Sequence, residues 1–450
     1  MSKKASRSPS LRTLKTSCSE IKLKSDNQFL LVSAPDPEST LASALFARSI
    51  MRSGGAFHVT FEQPIMSTES INNIRTQYES SIIVLVGIQT VGKKKLRKGI
   101  GYPIFVGGSS TSEQVKSCTV GNEHTISAAA HVLAQECFTT GDYELSMAAV
   151  AAIIHDQSHK SPKKPSTANK ALIKQALDKN LLEEQAGIRL FGFNFLPIDE
   201  LLLFNTRPYI QEISGDQKAC DAFLSEADVP ITKIRNPLTS LSSSEIQRFS
   251  QYLTSRLLEK MGPDKLSIAF GPDYILTHEN ESSPLRYLSG LESIANTAWA
   301  RQELGATMGI WIGDRGRALR NVIDTQLSHN KDVISAVHRL ETKMKGTSSE
   351  ASTLVELTGI RDELLTDIGR VALQSEIVSP ERPLVISNED FSIITWTYKN
   401  VDVNRVLLAI DRENLSPVTT SSQSIILKSV SSESLTEILK LVKNLSEKKR

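Results

Sequence analysis

Four short apolar runs dominate the first hundred or so residues, and their order leaves few folds open. Residues 28–34 (QFLLVSA), 56–62 (AFHVTFE), 80–89 (SSIIVLVGIQ) and 101–108 (GYPIFVGG) each have the length and β-branched content of a buried strand. Between the first two lie a turn, PDPES, and an amphipathic stretch, STLASALFARSIMRSGG, which a pair of glycines closes. Strand, helix, strand is a βαβ unit, and the crossover makes the two strands parallel. Runs that are apolar on both faces need helices above and below them. The expected fold class is therefore α/β, with a doubly wound, mainly parallel sheet.

Downstream the periodicity turns helical. TISAAAHVLAQECF, DYELSMAAVAAIIH and TANKALIKQALDKNLLEEQ carry helical apolar spacing, with SHKSPKKPST as a loop between the second and third. Residues 196–284 read as short helices broken by Pro230, Pro237, Pro263 and Pro272, which suggests an inserted helical module. PLRYLSGLESIANTAWARQELG reads as a helix leading into a short strand, ATMGIWIGD. From Arg315 to Lys345 the apolar residues keep largely to one face, as in a long bridging helix. RPLVIS, FSIITWTY, NRVLLAI and SQSIILKSV then read as strands before a last helix, ESLTEILKLVKNL. The expected domains are a disordered basic tail (1–27), an α/β domain (28–199), the helical insertion (200–284), a return helix, strand and bridging helices (285–375), and a C-terminal α+β domain (376–450).

Positive and negative side chains nearly cancel, 52 against 50, so the whole chain has no strong attraction for polyanions. The cations concentrate at both ends and in VGKKKLRKG, where Lys93, Lys94, Lys95, Arg97 and Lys98 are candidates for nucleic-acid contact, although no aromatic is interleaved for base stacking. Cys18, Cys118, Cys137 and Cys220 lack metal-binding spacing and give neither a zinc site nor a disulfide framework, which fits a reducing interior. No run approaches the roughly 20 apolar residues of a membrane span. The expected location is the cytoplasm, beside the chromosome.

In an open α/β sheet, ligands bind beyond the carboxyl ends of the strands. That places any site at SAPDPES, VGIQTVG, VGGSS and, at a helix end, IHDQSH. There is no GxGxxG, no GxxxxGK[ST] and no GxSxG, so dinucleotide, nucleotide-phosphate and serine-hydrolase chemistries have no motif here.

The series of segments resembles the DHH phosphoesterase superfamily, in particular its archaeal RecJ-like and Cdc45-like replication branch. Members open with a strand and a His-x-Asp-Ala-Asp-Gly turn; this chain keeps Asp36, has Glu38 for the second acid and Ala34 for the histidine. The family's second motif aspartate falls on Val86 or Gly87, and Asp-His-His falls on Val106, Gly107 and Gly108. GGAFHVTF, ISAAAHVLA, AAVAAIIHDQ and IRLFGFNFLP are similar to further family segments, and the likeness runs from Phe29 to Asp314. In the C-terminal domain, NLSPVTTSSQS stands where active members carry a GGGH loop.

The resemblance implies a two-metal phosphodiesterase site from which most ligands have gone. Such catalysis needs carboxylates and imidazoles converging on two divalent ions about 4 Å apart. Asp36, Glu38 and Asp156 remain as oxygen ligands for one loose Mn or Mg ion, since hard cations need several oxygens. Each also has a plainer reading: Asp36 as a helix cap, Glu38 as an acid favoured in a first helical turn, Asp156 with His155 and His159 in a solvated loop. His58 and His131 read as satisfied structural histidines. The expected function is that of a catalytically inactive RecJ-like scaffold of the replicative helicase assembly, without cofactor, binding the GINS complex and the MCM helicase and contacting single-stranded DNA. The alternatives are a residual metal-dependent exonuclease or phosphoesterase and a nucleic-acid-binding regulator. The insertion is the candidate partner surface.

Overall fold

The computed structural model describes residues 11–92, 95–108, 116–118, 126–158, 167–344, 354–397, 406, 410, 417–420, 424–428 and 432–447. Two compact units divide the chain: Met1–Glu184 with Ile275–His278 and Ile294–Val322, and Gln185–Tyr274 with Glu279–Ser293 and Ile323–Arg450.

In the first unit α1 (Leu11–Cys18) is ordered helix where a solvated tail is expected. Leu14, Cys18, Ile21 and Leu23 are buried, so this segment is core despite its basic composition. The lysines stay outside; Lys15 pairs with Glu136 at 3.3 Å. Cys18 is bridged to Cys118, one hundred residues on, with Cα atoms 5.2 Å apart. The cysteine spacing, read as giving no disulfide framework, carries no sign of this one link, and Cys137 and Cys220 are free.

β1 (Gln28–Ser33) opens the first unit's α/β region and is followed by α2 (Pro37–Arg52), β2 (Ala56–Phe61), β3 (Ile65–Ser67), α3 (Thr68–Gln77), β4 (Ser81–Val86), β5 (Gln89–Val91), β6 (Ile104–Val106) and β7 (Ser117–Cys118). The strand order is β2-β1-β4-β6-β7, all parallel, while β3 and β5 form a separate parallel pair. Side chains alternate between faces. Leu30, Val32, Ile83, Leu85 and Phe105 pack with Ile71 of α3 and with Met66. Phe29, on the opposite face, meets Phe138 edge-on at 5.5 Å, as does Phe46 of α2. α4 (Ile126–Cys137) and α5 (Asp142–Ser158) pack with α2, and α6 (Thr167–Asp178) packs on α5. Helices on both faces complete the doubly wound arrangement.

α6 stops earlier than its sequence pattern suggests, because Asn180 takes a left-handed φ of 53° and turns the chain into β8 (Leu182–Ile188), which pairs with β9 (Phe270–Leu276). The insertion contributes α7 (Ile198–Leu203), α8 (Gln217–Glu226) and α9 (Ser243–Met261), the last opened by a capping box of Ser242 and Glu245. Leu201, Leu202, Phe223, Phe249 and Leu253 fill its core, which runs from Leu190 to Ala269. It is not free-standing: Tyr209 packs in the core of the helices and sheet that follow.

α10 (Leu288–Arg301) precedes α11 (Leu304–Ile312), a helix where ATMGIWIGD reads as a strand. Leu304, Thr307, Met308 and Trp311 are buried, a 3–4 spacing that the surrounding apolar residues hide. α12 (Arg317–Met344) is the expected long helix. β10 (Leu354–Glu356), α13 (Asp362–Gln374), β11 (Leu384–Ser387), β12 (Phe391–Thr395), β13 (Pro417–Thr420), β14 (Ser424–Lys428) and α14 (Ser432–Glu447) follow. Their sheet runs β10-β11-β12-β14-β13, with only the β10–β11 pair parallel. Leu384, Ile386 and Ile393 face the buried residues of α12 and α13, so the core of this domain begins well before residue 376. Val385, Ile394, Ile425 and Leu427 face Leu435 and Ile438 of α14. Val406 and Ile410, the described residues of the expected strand NRVLLAI, are helical and buried.

Candidate functional site

The carboxyl ends of β1, β4 and β6 meet at one edge of the first unit. Their chains continue as paired backbone: Ala34 N–H donates to the Val86 carbonyl (2.9 Å), Gly87 N–H to Val106 (3.0 Å) and Gly107 N–H to Cys118 (3.3 Å). Ala34, Val86 and Val106 are buried and apolar, so they offer nothing to a cation.

The glycines are where the edge closes. Gly107 has φ 69°, and a Cβ there would stand 2.5 Å from Ile126 Cγ1. On Gly108 a Cβ would lie 1.9 Å from the Ile88 carbonyl oxygen. Gly87, at φ 69°, has Ser39 Oγ in the same relation at 2.1 Å. Side chains are thus excluded at the three positions by backbone and by neighbouring side chains. The space that an imidazole would need is already occupied.

The remaining acids are drawn into protein hydrogen bonds. Asp36 is the N-cap of α2, its carboxylate accepting from Ser39 N–H (2.9 Å) and Ser39 Oγ–H (2.6 Å). Pro37 at the first helical position needs no partner for its nitrogen, which is why PDPES starts a helix so cleanly. Glu38, in the first turn, is buried; Oε1 accepts from the N–H (3.2 Å) and hydroxyl (3.1 Å) of Ser127 on α4. Its Oε2 accepts a hydrogen bond from Nδ1–H of His155 on α5 at 2.5 Å. Asp156 Oδ1 accepts from Asn169 Nδ2 of α6 at 3.0 Å, and its buried Oδ2 has no hydrogen-bond partner among the described residues.

These groups share one electrostatic neighbourhood. Burial opposes charge on each, and against it the His155 cation holds Glu38 below the ordinary carboxylate range. His155 is likewise pulled up to about 9 by Glu38, with Asp156 and Asp36 adding to the effect, despite burial acting against its charge. Asp36 and Asp156 lie above the usual range because burial outweighs their hydrogen bonds. The site therefore contains one ion pair and two carboxyls that resist ionisation. Among the described residues no group of three or more His, Cys, Asp or Glu side chains is placed to hold a metal ion. The orphaned Asp156 oxygen is a single donor atom, and a two-ion centre does not fit the residues present.

The reading of His155 and Asp156 as a solvated loop is corrected: both are on α5, and His155 is a half-buried partner of Glu38. His159 lies outside the described residues. His131 is buried on α4 as expected, but neither ring nitrogen has a partner among the described residues, and burial drives it down to about 4. His58 stacks on Tyr78 with ring centres 6.0 Å apart. Of the basic run, Lys93 and Lys94 lie outside the described residues, whereas Lys95, Arg97 and Lys98 are exposed. Ser127 and Asn169 were not legible as site residues, because nothing local ties them to acids far away in sequence.

No protein-family model matches the chain, and no curated protein sequence matches it. Among solved structures it superposes on CDC45 from Entamoeba histolytica with a TM-score of 0.55, covering 97% of this chain and 97% of that one, at 8% identity. RecJ from Thermus thermophilus in complex with Mn2+ gives 0.48 at 11% identity over 98% of this chain and 55% of that chain. An exonuclease RecJ bound to manganese gives 0.46 at 9% identity, over 98% and 97%. At these identities the likeness is one of fold: the chain has the CDC45-like α/β fold that its strand and motif order lead one to expect. Among the described residues no helix is long and apolar enough to cross a membrane.

Proposed function

We propose, taking the CDC45-like fold as premise, that this chain is a catalytically inactive, chromosome-associated scaffold of a replicative helicase assembly, binding GINS and MCM. The observation that carries the inactivity is the closure at Gly107 and Gly108, where a Cβ would meet Ile126 and the Ile88 carbonyl oxygen. Glu38 is committed to His155 and Ser127, which leaves no second carboxylate available to bridge two ions. The partner reading rests on the fold, shared over 97% of both chains, and on the partners that the motif resemblance implies. The insertion, with its own core around Phe223 and Phe249, is the candidate partner module.

The test has two arms. Purified chain is incubated with single-stranded DNA and Mn2+ or Mg2+, beside Asp36→Ala and Asp156→Ala; no cleavage is expected from any of them. Cleavage that either substitution abolishes establishes the residual-nuclease reading instead. Co-purification with the GINS proteins of the same organism is expected to give a stable complex, and failure to form one removes the helicase assignment while leaving the inactive site untouched.

A further inference from the structure

Three of the seven large apolar side chains that are strongly exposed among the described residues, Ile65 (44%), Val91 (50%) and Ile100 (53%), fall in one stretch of the first unit. β3 and β5 pair in register, Ile65 with Gln89 and Ser67 with Val91. Both strands bury only their middle residue, so Ile65 and Val91 lie on the same outward face. The chain then runs along α3 as a strap. Asn72 Nδ2 donates to the Lys95 carbonyl (3.0 Å), its Oδ1 accepts from Arg97 N–H (2.8 Å), and Arg97 Nη1 reaches Thr76 Oγ1 (3.3 Å). Leu96 is driven into the core, which turns Lys95 and Arg97 outward on one side.

The order along this surface is aliphatic, basic, aliphatic: Ile65 and Val91 by the start of α3, Lys95 and Arg97 along it, and Ile100 beyond. None of Lys95, Arg97 and Lys98 has a carboxylate partner among the described residues, and the sequence from 63 to 101 holds two acids, Glu69 and Glu79, against the buried Arg75 and Lys93, Lys94, Lys95, Arg97 and Lys98. The excess of cations over acids leaves this stretch positive. We propose that it docks an extended segment of a partner protein whose inward-facing positions run aliphatic, acidic, acidic, aliphatic, with one residue between each. Lys95 and Arg97 flank the buried Leu96 on a strap pinned to α3, and their two-residue spacing matches the period of an extended peptide. Seven such residues span about 20 Å, comparable to the roughly 15 Å of α3 plus the β3–β5 face. Nucleic acid is the weaker occupant, since the exposed apolar groups are aliphatic and offer no ring for a base; the nearby Tyr78 is half-buried against His58. The proposal is independent of the metal-site reading.

The experiment uses the full chain and a fluorescein-labelled Leu-Ser-Asp-Ser-Asp-Ser-Leu peptide, followed by anisotropy. Saturable binding is expected, weakened about tenfold or more by Lys95→Glu/Arg97→Glu and, separately, by Ile65→Ser/Val91→Ser. All four positions are exposed, and circular dichroism checks that folding is kept. The composition-matched peptide Asp-Ser-Leu-Ser-Leu-Ser-Asp is expected to bind about tenfold less tightly. The proposal is overturned by absence of saturable binding, by equal binding of the two peptides, or by loss on charge reversal alone with oligo(dT) competing, which identifies a phosphate-binding surface. Because neither peptide enters the nuclease or GINS assays, failure here and failure of the scaffold reading are told apart.

Discussion

In the first unit His155 donates from Nδ1 to Glu38 at 2.5 Å; in the second His329 donates from Nε2 to Asp367 at 2.8 Å. Both pairs join residues of separate helices and both are largely buried. Their surroundings differ. Asp367 also receives Nε and Nη2 of Arg370 (2.9 and 2.7 Å), and Arg370 reaches the Thr206 carbonyl, while Arg207 pairs with Glu292 nearby. A guanidinium keeps its charge at any ordinary pH, so Asp367 stays ionised and is held far below the usual carboxylate range, Arg370 and His329 both acting against its burial. Among the described residues Glu38 pairs with one cation, His155, and that cation can lose its proton. One pair is a permanent brace between α12 and α13; the other is a conditional one, standing at a strand edge beside two carboxyls that resist ionisation.

The largest expected effect is on the permanent brace. Asp367→Ala strands the buried Arg370 guanidinium without its counter-charge, removes the hydrogen-bond partner of His329, and is expected to cost about 4 kcal/mol in urea unfolding. A loss below about 1 kcal/mol erases the distinction drawn above. Next is Gly107→His, which returns an imidazole to the strand edge: with φ at 69° and Ile126 in the way, it is expected to cost about 3 kcal/mol and to gain no Mn2+ affinity by calorimetry.

The conditional pair has a pH signature. His155 rises from an ordinary 6.5 to about 9 in the folded chain, so its contribution is complete below pH 6.5 and disappears as pH climbs through about 9. Glu38, lowered by folding, supplies stability above its ordinary 4.5 that is lost as pH falls. About 3 kcal/mol of stability is expected to vanish between pH 6.5 and 9.5 in wild type and not in His155→Gln. Equal slopes for the two proteins remove the ion pair from the account. Smallest is the double substitution Glu38→Gln/His155→Gln, expected within about 1 kcal/mol of wild type because no charge is left buried alone; His155→Ala by itself is expected to cost more than the double.

The strands were readable because a strand buried on both faces is nearly all apolar, as Phe29 to Val32 are, with zero exposure. The same rule misled at α11, where an apolar helix lacks the polar face that sets its period, and at β8 and β9, whose pairing partners lie far apart in sequence. At the site, single positions were legible and pairings were not. Asp36 announced its capping role through Pro37. Glu38 and His155, 117 residues apart, carry no local signal of their contact, and neither do Cys18 and Cys118.

The contact between Gly108 and the Ile88 carbonyl also bears on any attempt to build a ligand at this edge. A position beside a cavity accepts a new side chain by one substitution, whereas here a backbone oxygen stands 1.9 Å from where a Cβ would be. Any side chain added at 108 must displace backbone before it can reach a ligand, so the edge resists change by single substitutions.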